Sequence, residues 1–340
     1  MFQLQASRIR AAALMFVVAA LSACGEKGMT YGDANSVIAV TDTERWEQIS
    51  DQVYGTLEQT VQTVRDEKAF TVTYQEPYAD YWNNLRRFRQ MLLIGTPSDP
   101  WIQEALEESR TNVDIQGPGI YQVRNAWARD QTVTLAILPE DGSLEPLPEM
   151  LDQVQAILDQ QFRNYARSRM FFSGANEALS DTVAAEAGFR LLLPDVYRWQ
   201  RTDSILVFRN DQPDPSELIR QIMVTWRSPA PASLTPEEIL AWRQSIADAI
   251  YNEPQEFVQE GMIVESATFD GHDGTLIQAQ WRNPPDRGWP AGGPVIIRTL
   301  TCDAQDRMYL LDAWLYAPGR EKFEYMIQLE TILDSFECVA

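Results

Sequence analysis

The sequence predicts an α+β protein with two α/β sandwich domains whose sheets are mostly antiparallel. Three observations support this fold class. The chain has 340 residues, of which 45% are hydrophobic and ten are tryptophan, which is enough for a sizeable core. The first half alternates apolar runs with helical patterns in the order β-α-β-β-α-β-β-α. The second half has successive strand-like runs interrupted by few helices.

In the first half, helices are predicted where apolar residues recur every three or four positions. One helix follows Thr43, a second begins near Pro100, and a long third helix covers about 146–169. Strands are predicted where apolar residues cluster or alternate. These strands lie at 36–40, 70–76, 88–96, 119–128 and 131–139.

In the second half, Thr235 is the predicted N-cap of a helix over 235–251, with Pro236 at its first position. A terminal helix begins near residue 321. Strands are predicted at 189–200, 203–211 and 218–228, then in three runs between the helices, and last at 307–318. The predicted organisation is a signal peptide at 1–23, a tether at 24–35, and domains at 36–185 and 186–340.

The N-terminus has the pattern of a bacterial lipoprotein signal peptide. Arg8 and Arg10 precede an apolar run that ends at Leu21-Ser22-Ala23-Cys24. Cleavage before Cys24 and lipidation of its thiol would anchor the chain to a membrane. Gly25, rather than Asp, follows the cysteine and favours the outer membrane, with the chain facing the periplasm. The alternatives are an ordinary cleaved signal peptide and a buried N-terminal helix.

Charge and the other cysteines restrict the function further. The formal net charge is −21, so nucleic acid is not an expected partner. If Cys24 is lipidated, Cys302 and Cys338 remain as an even pair in an oxidising compartment. They form either a disulfide or two separate buried thiols.

No catalytic, metal or cofactor site is predicted. The single histidine, His272, lies in a Gly-flanked turn and lacks the partners that catalysis or a zinc site requires. Glu76, Asp270, Asp273 and Asp312 could form carboxylate pairs, but such pairs arise by chance in a chain with 49 acidic residues. The sequence therefore favours a non-enzymatic binding or assembly module. The alternative is a carboxylate-dependent envelope hydrolase that acts on a glycan or a similar substrate.

Two aromatic segments are candidate contact surfaces. Arg287 and Trp289 lie in the stiff, Pro- and Gly-rich segment `NPPDRGWPAGGP`. Binding through a stiff loop loses little conformational entropy. Trp289 could instead fill a seam between the domains. Tyr81 and Trp82, in `YADYWNNLRRF`, pose the same choice. The expected partner is an envelope protein, a glycan or a small ligand.

An ordered set of motifs resembles one family. The lipobox, `ANSVIAVTDTERW`, `QEP` and `RFRQMLLIG` come first, followed by `VTWRSP`, `RGWPAGGPVIIRTLTCD` and `LDAWLYAPGREKFEYMIQLETIL`. Together they resemble the bacterial lipoprotein family known as domain of unknown function 4837 (DUF4837), over nearly the whole mature chain. The resemblance implies an envelope lipoprotein and assigns no activity. In outline, the second half is also similar to the α/β/α domains of PsbP and Mog1, which are binding and assembly modules.

Overall fold

The structure is a computed structural model that describes residues 27–252, 254–287 and 289–339. Cys24 and the predicted signal peptide lie outside these residues. The helices are α1 (Thr43–Leu57), α2 (Trp82–Leu85), α3 (Pro100–Glu108), α4 (Leu147–Met170), α5 (Glu177–Ala187), α6 (Pro236–Ile250) and α7 (Phe323–Leu333). No helix in the described part of the chain is both long and apolar enough to cross a bilayer.

Sixteen strands are described, and most of their pairings are antiparallel. The first seven are β1 (Ser36–Val40), β2 (Thr60–Gln62), β3 (Asp66–Lys68), β4 (Thr71–Gln75), β5 (Gln90–Gly95), β6 (Gly119–Arg124) and β7 (Thr132–Ile137). The others are β8 (Phe189–Arg190), β9 (Arg198–Thr202), β10 (Ile205–Asn210), β11 (Ile219–Arg227), β12 (Glu256–Phe269), β13 (His272–Arg282), β14 (Gly292–Cys302), β15 (Arg307–Tyr316) and β16 (Glu337–Cys338). The predicted α+β class with mostly antiparallel sheets is confirmed for the chain as a whole.

The chain divides into two compact units. The first comprises the described residues up to Leu57 together with Phe70–Gln155. The second comprises Glu58–Ala69 and the chain from Ala156 onward. This division falls within helix α4 and assigns residues 58–69 to the second unit, whereas the sequence predicts a single boundary near residue 185.

The first unit contains a five-stranded sheet in the order β4-β1-β5-β7-β6. Its pairings differ from the antiparallel sheet expected here, because β1 pairs in parallel with β4 and β5, and β5 pairs in parallel with β7. Helices or long connections separate these strands, which lets the chain return to the same end of the sheet. The residues of β5 are all buried, as is typical of a parallel strand covered on both faces.

The second unit contains a seven-stranded antiparallel sheet in the order β12-β13-β14-β15-β11-β10-β9. One face packs against α5 and α7, and the other packs against α6. Strand β15 shows both faces, because Leu311 and Ala313 belong to the first core while Leu310 and Trp314 belong to the second. Asp312 therefore lies on the α6 face, where the alternation demands a buried residue.

Helix α6 begins as the sequence predicts. The Thr235 hydroxyl accepts a hydrogen bond from the backbone N–H of Glu238 at 3.3 Å. The Glu238 carboxylate accepts one from the backbone N–H of Thr235 at 2.8 Å. Pro236 occupies the first turn. This reciprocal capping box satisfies two donors that the helix itself cannot pair, so the helix start is fixed locally.

Helix α7 is capped by a residue that is distant in sequence. Its N-cap, Lys322, makes no capping side-chain hydrogen bond. Glu67, from the β2–β3 hairpin, accepts hydrogen bonds from the backbone N–H groups of Lys322 at 2.6 Å and Phe323 at 3.0 Å. The hydroxyl of Thr63 donates to the same carboxylate at 3.0 Å. A buried carboxylate thus satisfies the free donors and the positive end of the helix.

Replacing Glu67 with alanine is expected to lower the free energy of unfolding by about 1–3 kcal/mol, because two buried N–H groups lose their acceptor. Urea unfolding of the full chain measures this loss. The matched control is Asp66→Ala, which removes an exposed acid from the same strand. Equal unfolding midpoints for the two variants would contradict the proposed role of the cap.

Candidate functional site

The second unit contains a cavity of about 720 Å³ on the α6 face of its sheet. Its walls come from the edge strand β9, strands β10, β11 and β13, the turn after α6, the loop before β14, and the end of β15. The described lining residues on which the functional hypothesis rests are Arg198, Gln200, Arg209, Asp211, Gln221, Tyr251, Asn252, Gln255, Trp281, Asn283, Trp289, Trp314 and Tyr316. The volume is in the range of small-ligand sites.

The floor of the cavity is aromatic. The Trp281 and Trp314 rings meet edge to face with centroids 5.1 Å apart, and the Tyr251 ring lies 5.9 Å from that of Trp314. Strand register places Trp314 between its two pairing neighbours, Gln221 on β11 and Val295 on β14. These side chains form a rigid, largely apolar surface.

Gly293 makes room for the Trp281 indole. It pairs with Trp281 across β13 and β14. A Cβ atom at this glycine would collide with the carbonyl oxygen of Leu315 and come within 3.0 Å of Nε1 of Trp281. That indole nitrogen donates a hydrogen bond to the same Leu315 carbonyl at 3.2 Å. The `AGGP` segment is therefore a packing requirement of the floor.

Below the floor lies a fully buried ion pair. Nε of Arg243 is 3.0 Å from Oδ2 of Asp312, and both side chains have no exposed surface. Arg243 also donates to Oε1 of Gln255 at 2.6 Å, and the Tyr251 hydroxyl donates to Oδ2 of Asp312 at 2.7 Å. The pair thus holds two cavity residues, Tyr251 and Gln255, in fixed positions.

The pKa of Tyr251 is raised far above its ordinary value. Burial is the largest cause, and the negative charge of Asp312 raises it further against the opposing charge of Arg243. The hydroxyl therefore keeps its proton and acts as a hydrogen-bond donor to Asp312. The guanidinium of Arg243 lies 5.3 Å from the Tyr251 ring centroid and 5.0 Å from that of Phe257, which adds cation–π attraction.

One wall carries a second ionic cluster. Asp211 pairs with Arg198 and, at 2.9 Å, with Nε of Arg209. Arg209 also donates to Oε1 of Gln221 at 3.1 Å. Burial alone would raise the pKa of Asp211, but hydrogen bonds from the two arginines and their charges outweigh it and lower that pKa. Asp211 is therefore an ionised acceptor that orients the two guanidinium groups.

Three buried polar atoms of the lining have no hydrogen-bond partner among the described residues: Nε1 of Trp314, Nε2 of Gln221 and Oδ1 of Asn283. All three residues are buried. The amide nitrogen of Asn283 donates to the Trp289 carbonyl, so its oxygen is the unpaired end of the amide. Unpaired buried polar atoms are rare in proteins, and these two donors and one acceptor belong to residues that line the cavity.

The candidate contact residues have different locations. Trp289 lines the cavity and is 73% exposed, while Arg287 is exposed in the same loop. Tyr81, in the first unit, is 75% exposed. Trp82 is only 4% exposed and packs edge to face with Trp127 at 5.5 Å. The hypothesis of a contact surface at Trp82 is therefore wrong, because the short helix α2 turns this ring into the core.

Cys302 and Cys338 are joined by a disulfide, with Cα atoms 6.2 Å apart. His272 lies beside it, with a ring nitrogen within 4.8 Å of both sulfur atoms. No local pattern in the sequence indicates this proximity. Of the acidic candidates, Asp312 is buried against Arg243, and Glu76, Asp270 and Asp273 are not among the described residues that line the cavity.

Residues missed by sequence reasoning make most of the site. Trp281, Trp314 and Gln221 occupy strands, where an alternating pattern marks them as core positions. Trp199 also borders the cavity, but its ring stacks towards Phe208, which belongs to the core on the other face of the sheet. A polar Gln among apolar strand residues was the one available signal.

Residues 176–335 match the model of the family described as domain of unknown function (DUF4837). This part of the chain is similar to that family. The predicted resemblance is confirmed over these residues, which include the whole described cavity. Residues 30–170 match a different model, domain of unknown function (DUF8532). The N-terminal motifs from `ANSVIAVTDTERW` to `RFRQMLLIG` therefore lie in this second match.

A comparison with curated proteins found no match. Solved structures similar to this chain include PsbP (CyanoP) from Synechocystis sp. PCC 6803, at 13% identity and a TM-score of 0.31, covering 45% of this chain and 88% of that one. The Ran-binding protein Mog1p from Saccharomyces cerevisiae is similar at 11% identity and a TM-score of 0.30, covering 45% and 90%. LpqN from Mycobacterium tuberculosis, involved in cell envelope biogenesis, follows at 14% identity and a TM-score of 0.29, covering 45% and 83%.

Proposed function

We propose that this chain is a lipid-anchored lipoprotein of the bacterial cell envelope whose second unit binds a ligand in the aromatic cavity. The cavity carries the proposal, because it combines a preformed apolar floor with polar groups that converge and remain unpaired. The lipobox at Cys24 supports the anchor, and the outer membrane facing the periplasm is the proposed location. The membrane and an envelope ligand are the proposed partners.

Binding without catalysis fits the chemistry of the lining. A glycan hydrolase needs one carboxylic acid with a raised pKa and a second carboxylate across the substrate. Among the described lining residues, Asp211 is the only acid, and its pKa is lowered by two arginines. Asp312 is buried below the floor and neutralised by Arg243. The arrangement of these carboxylates favours recognition over acid–base chemistry.

Native mass spectrometry of the intact protein, extracted gently from its own membranes, tests the proposal. The expected spectrum shows a chain that starts at acylated Cys24 and carries additional retained mass. The additional mass should be lost from the double variant Trp289→Ala/Tyr316→Ala, which opens the cavity. It should persist in Phe172→Ala, a variant of a residue that is 93% exposed away from the lining.

A wild-type chain without retained mass would contradict stable binding. Retained mass that persists in the double variant would place the ligand elsewhere. A chain without acyl groups would contradict the anchor separately, since the lipid adds a mass independent of the cavity.

A further inference from the structure

We infer that the ligand of the cavity is a glycan, held by one or two pyranose rings. The inference rests on the proposed function and names the chemical class that the lining recognises. Four of the ten tryptophans of the chain line this cavity. The ring of Trp199 stacks towards Phe208, which leaves the indoles of Trp281, Trp289 and Trp314, together with two tyrosines, for contact with a ligand. Such a concentration of flat rings suits a ligand with flat, weakly polar faces.

The aromatic faces match one side of a pyranose. Its axial C–H bonds form a face whose partly positive hydrogens are attracted to the negative face of an aromatic ring. Trp314 and Trp281 form the fixed part of this surface at 5.1 Å separation. Trp289, at 73% exposure on its loop, supplies a ring at the mouth without first having to be uncovered.

The polar residues match the edge of the same ring. Side-chain amides both donate and accept hydrogen bonds, as neighbouring sugar hydroxyls do. The described lining contains five amides: Gln200, Gln221, Asn252, Gln255 and Asn283. Gln221 is held by Arg209 at 3.1 Å and Gln255 by Arg243 at 2.6 Å, so two of these amides are oriented before any ligand arrives. Pre-orientation limits the entropy lost on binding.

The unpaired atoms discriminate between ligand classes. Nε1 of Trp314 and Nε2 of Gln221 can only donate, and Oδ1 of Asn283 can only accept. A hydroxyl group can do both, so a polyhydroxylated ligand can satisfy all three atoms. An acyl chain would satisfy none of them, and an anion without an O–H group could not donate to Asn283. Each buried atom left unpaired would weaken binding.

Charge narrows the class to neutral or singly acidic sugars. Asp211 already neutralises one of the two guanidinium groups of Arg198 and Arg209, which leaves one net positive charge on this wall. A cationic ligand would be repelled there. A polyanion would additionally meet the large negative net charge of the chain.

The test titrates the full-length protein with two probes prepared from its own envelope. The first is the delipidated free oligosaccharide fraction, and the second is the organic-solvent extract that contains the lipids. Tryptophan emission reports binding because three indoles of the lining remain for contact with a ligand. The glycan fraction should produce a saturable change in emission, and the lipid extract should not.

Three variants, each with one tryptophan replaced, test this result further. Trp314→Phe keeps a ring and removes the unpaired N–H, so binding should weaken about fivefold. Trp289→Ala removes the ring at the mouth and should weaken binding about tenfold. Trp46→Ala removes a ring that stacks on Tyr74 in the first unit, outside the cavity, and should bind like the wild type. Each variant has lost one indole, so the changes in their tryptophan emission can be compared directly.

Saturation by the lipid extract alone, or by neither fraction, would overturn the glycan assignment. Equal weakening by Trp289→Ala and Trp46→Ala would overturn it as well. The proposed function fails on different evidence, because it requires retained mass in the native spectrum whatever the chemical class. Retained mass without any response to the glycan fraction would therefore reject the glycan and keep the binding site.

Discussion

Replacing Asp312 with alanine is expected to lower the free energy of unfolding of the second unit by about 3–5 kcal/mol. The substitution leaves the guanidinium of Arg243 with no counter-charge in a site where neither side chain has exposed surface. It also removes the acceptor of the Tyr251 hydroxyl. Chemical unfolding of the full chain, followed by circular dichroism, measures the loss.

The double variant Arg243→Met/Asp312→Leu separates the charge penalty from simple loss of packing. Replacing a buried ion pair with apolar residues of similar volume is often neutral or stabilising, because neither charge then has to leave water. The double variant should therefore be more stable than Asp312→Ala. If it is less stable than this single variant, the uncompensated charge of Arg243 does not cause the loss and the expectation is wrong.

The double variant Arg243→Met/Asp312→Leu should lose ligand binding even though it remains folded. The double variant folds but no longer holds Tyr251 and Gln255, so it should lose the retained mass seen with the wild type. Tyr251→Phe is the conservative control, since it keeps the ring against Trp314 and removes only the hydroxyl. Stable folding combined with lost binding would show that the pair positions the cavity floor.

Removing the disulfide is expected to lower the free energy of unfolding by about 3–4 kcal/mol, because it closes a loop of 36 residues in the unfolded chain. The bond also holds β16 beside β8, where Phe336 stacks on Phe189 with ring centroids 5.3 Å apart. The double variant Cys302→Ala/Cys338→Ala and the wild type should be compared in urea, each with and without reductant.

The reductant serves as the internal control. It should lower the unfolding midpoint of the wild type to about that of the double variant and leave the double variant unchanged. If the midpoint of the wild type is the same with and without reductant, while free-thiol labelling shows two reduced cysteines, the disulfide contributes no stability.

Local signals in the sequence predicted most of the individual elements. The capping box at Thr235 and the alternation in β15 are read from neighbouring residues, and both are present in the structure. Helix α5 was missed, because the region was taken for a domain boundary. Its signals are present in Asn176, whose side chain accepts from the N–H of Leu179, and in Gly188, whose φ of 80° ends the helix.

Local sequence patterns do not predict which strands pair with one another. The parallel pairing of β1, β4, β5 and β7 depends on how the connections return to the sheet, which neighbouring residues do not encode. The cavity likewise depends on pairings between strands that are distant in sequence. Trp289 could be named because it lies in a stiff, Pro- and Gly-rich segment, whereas Trp314 is a site residue only through its register with Gln221.

The β2–β3 hairpin makes the second unit discontinuous along the sequence. A fragment that starts at Ala156 would lack Glu67 and leave the first N–H groups of α7 without their acceptor. Any transfer of this unit into another protein must therefore carry a second, separate piece of sequence. The hydrogen bond from Lys322 to Glu67 spans 255 residues, so closing this loop costs considerable chain entropy. The first turn of α7 should accordingly become ordered late in folding, after the sheet that it covers.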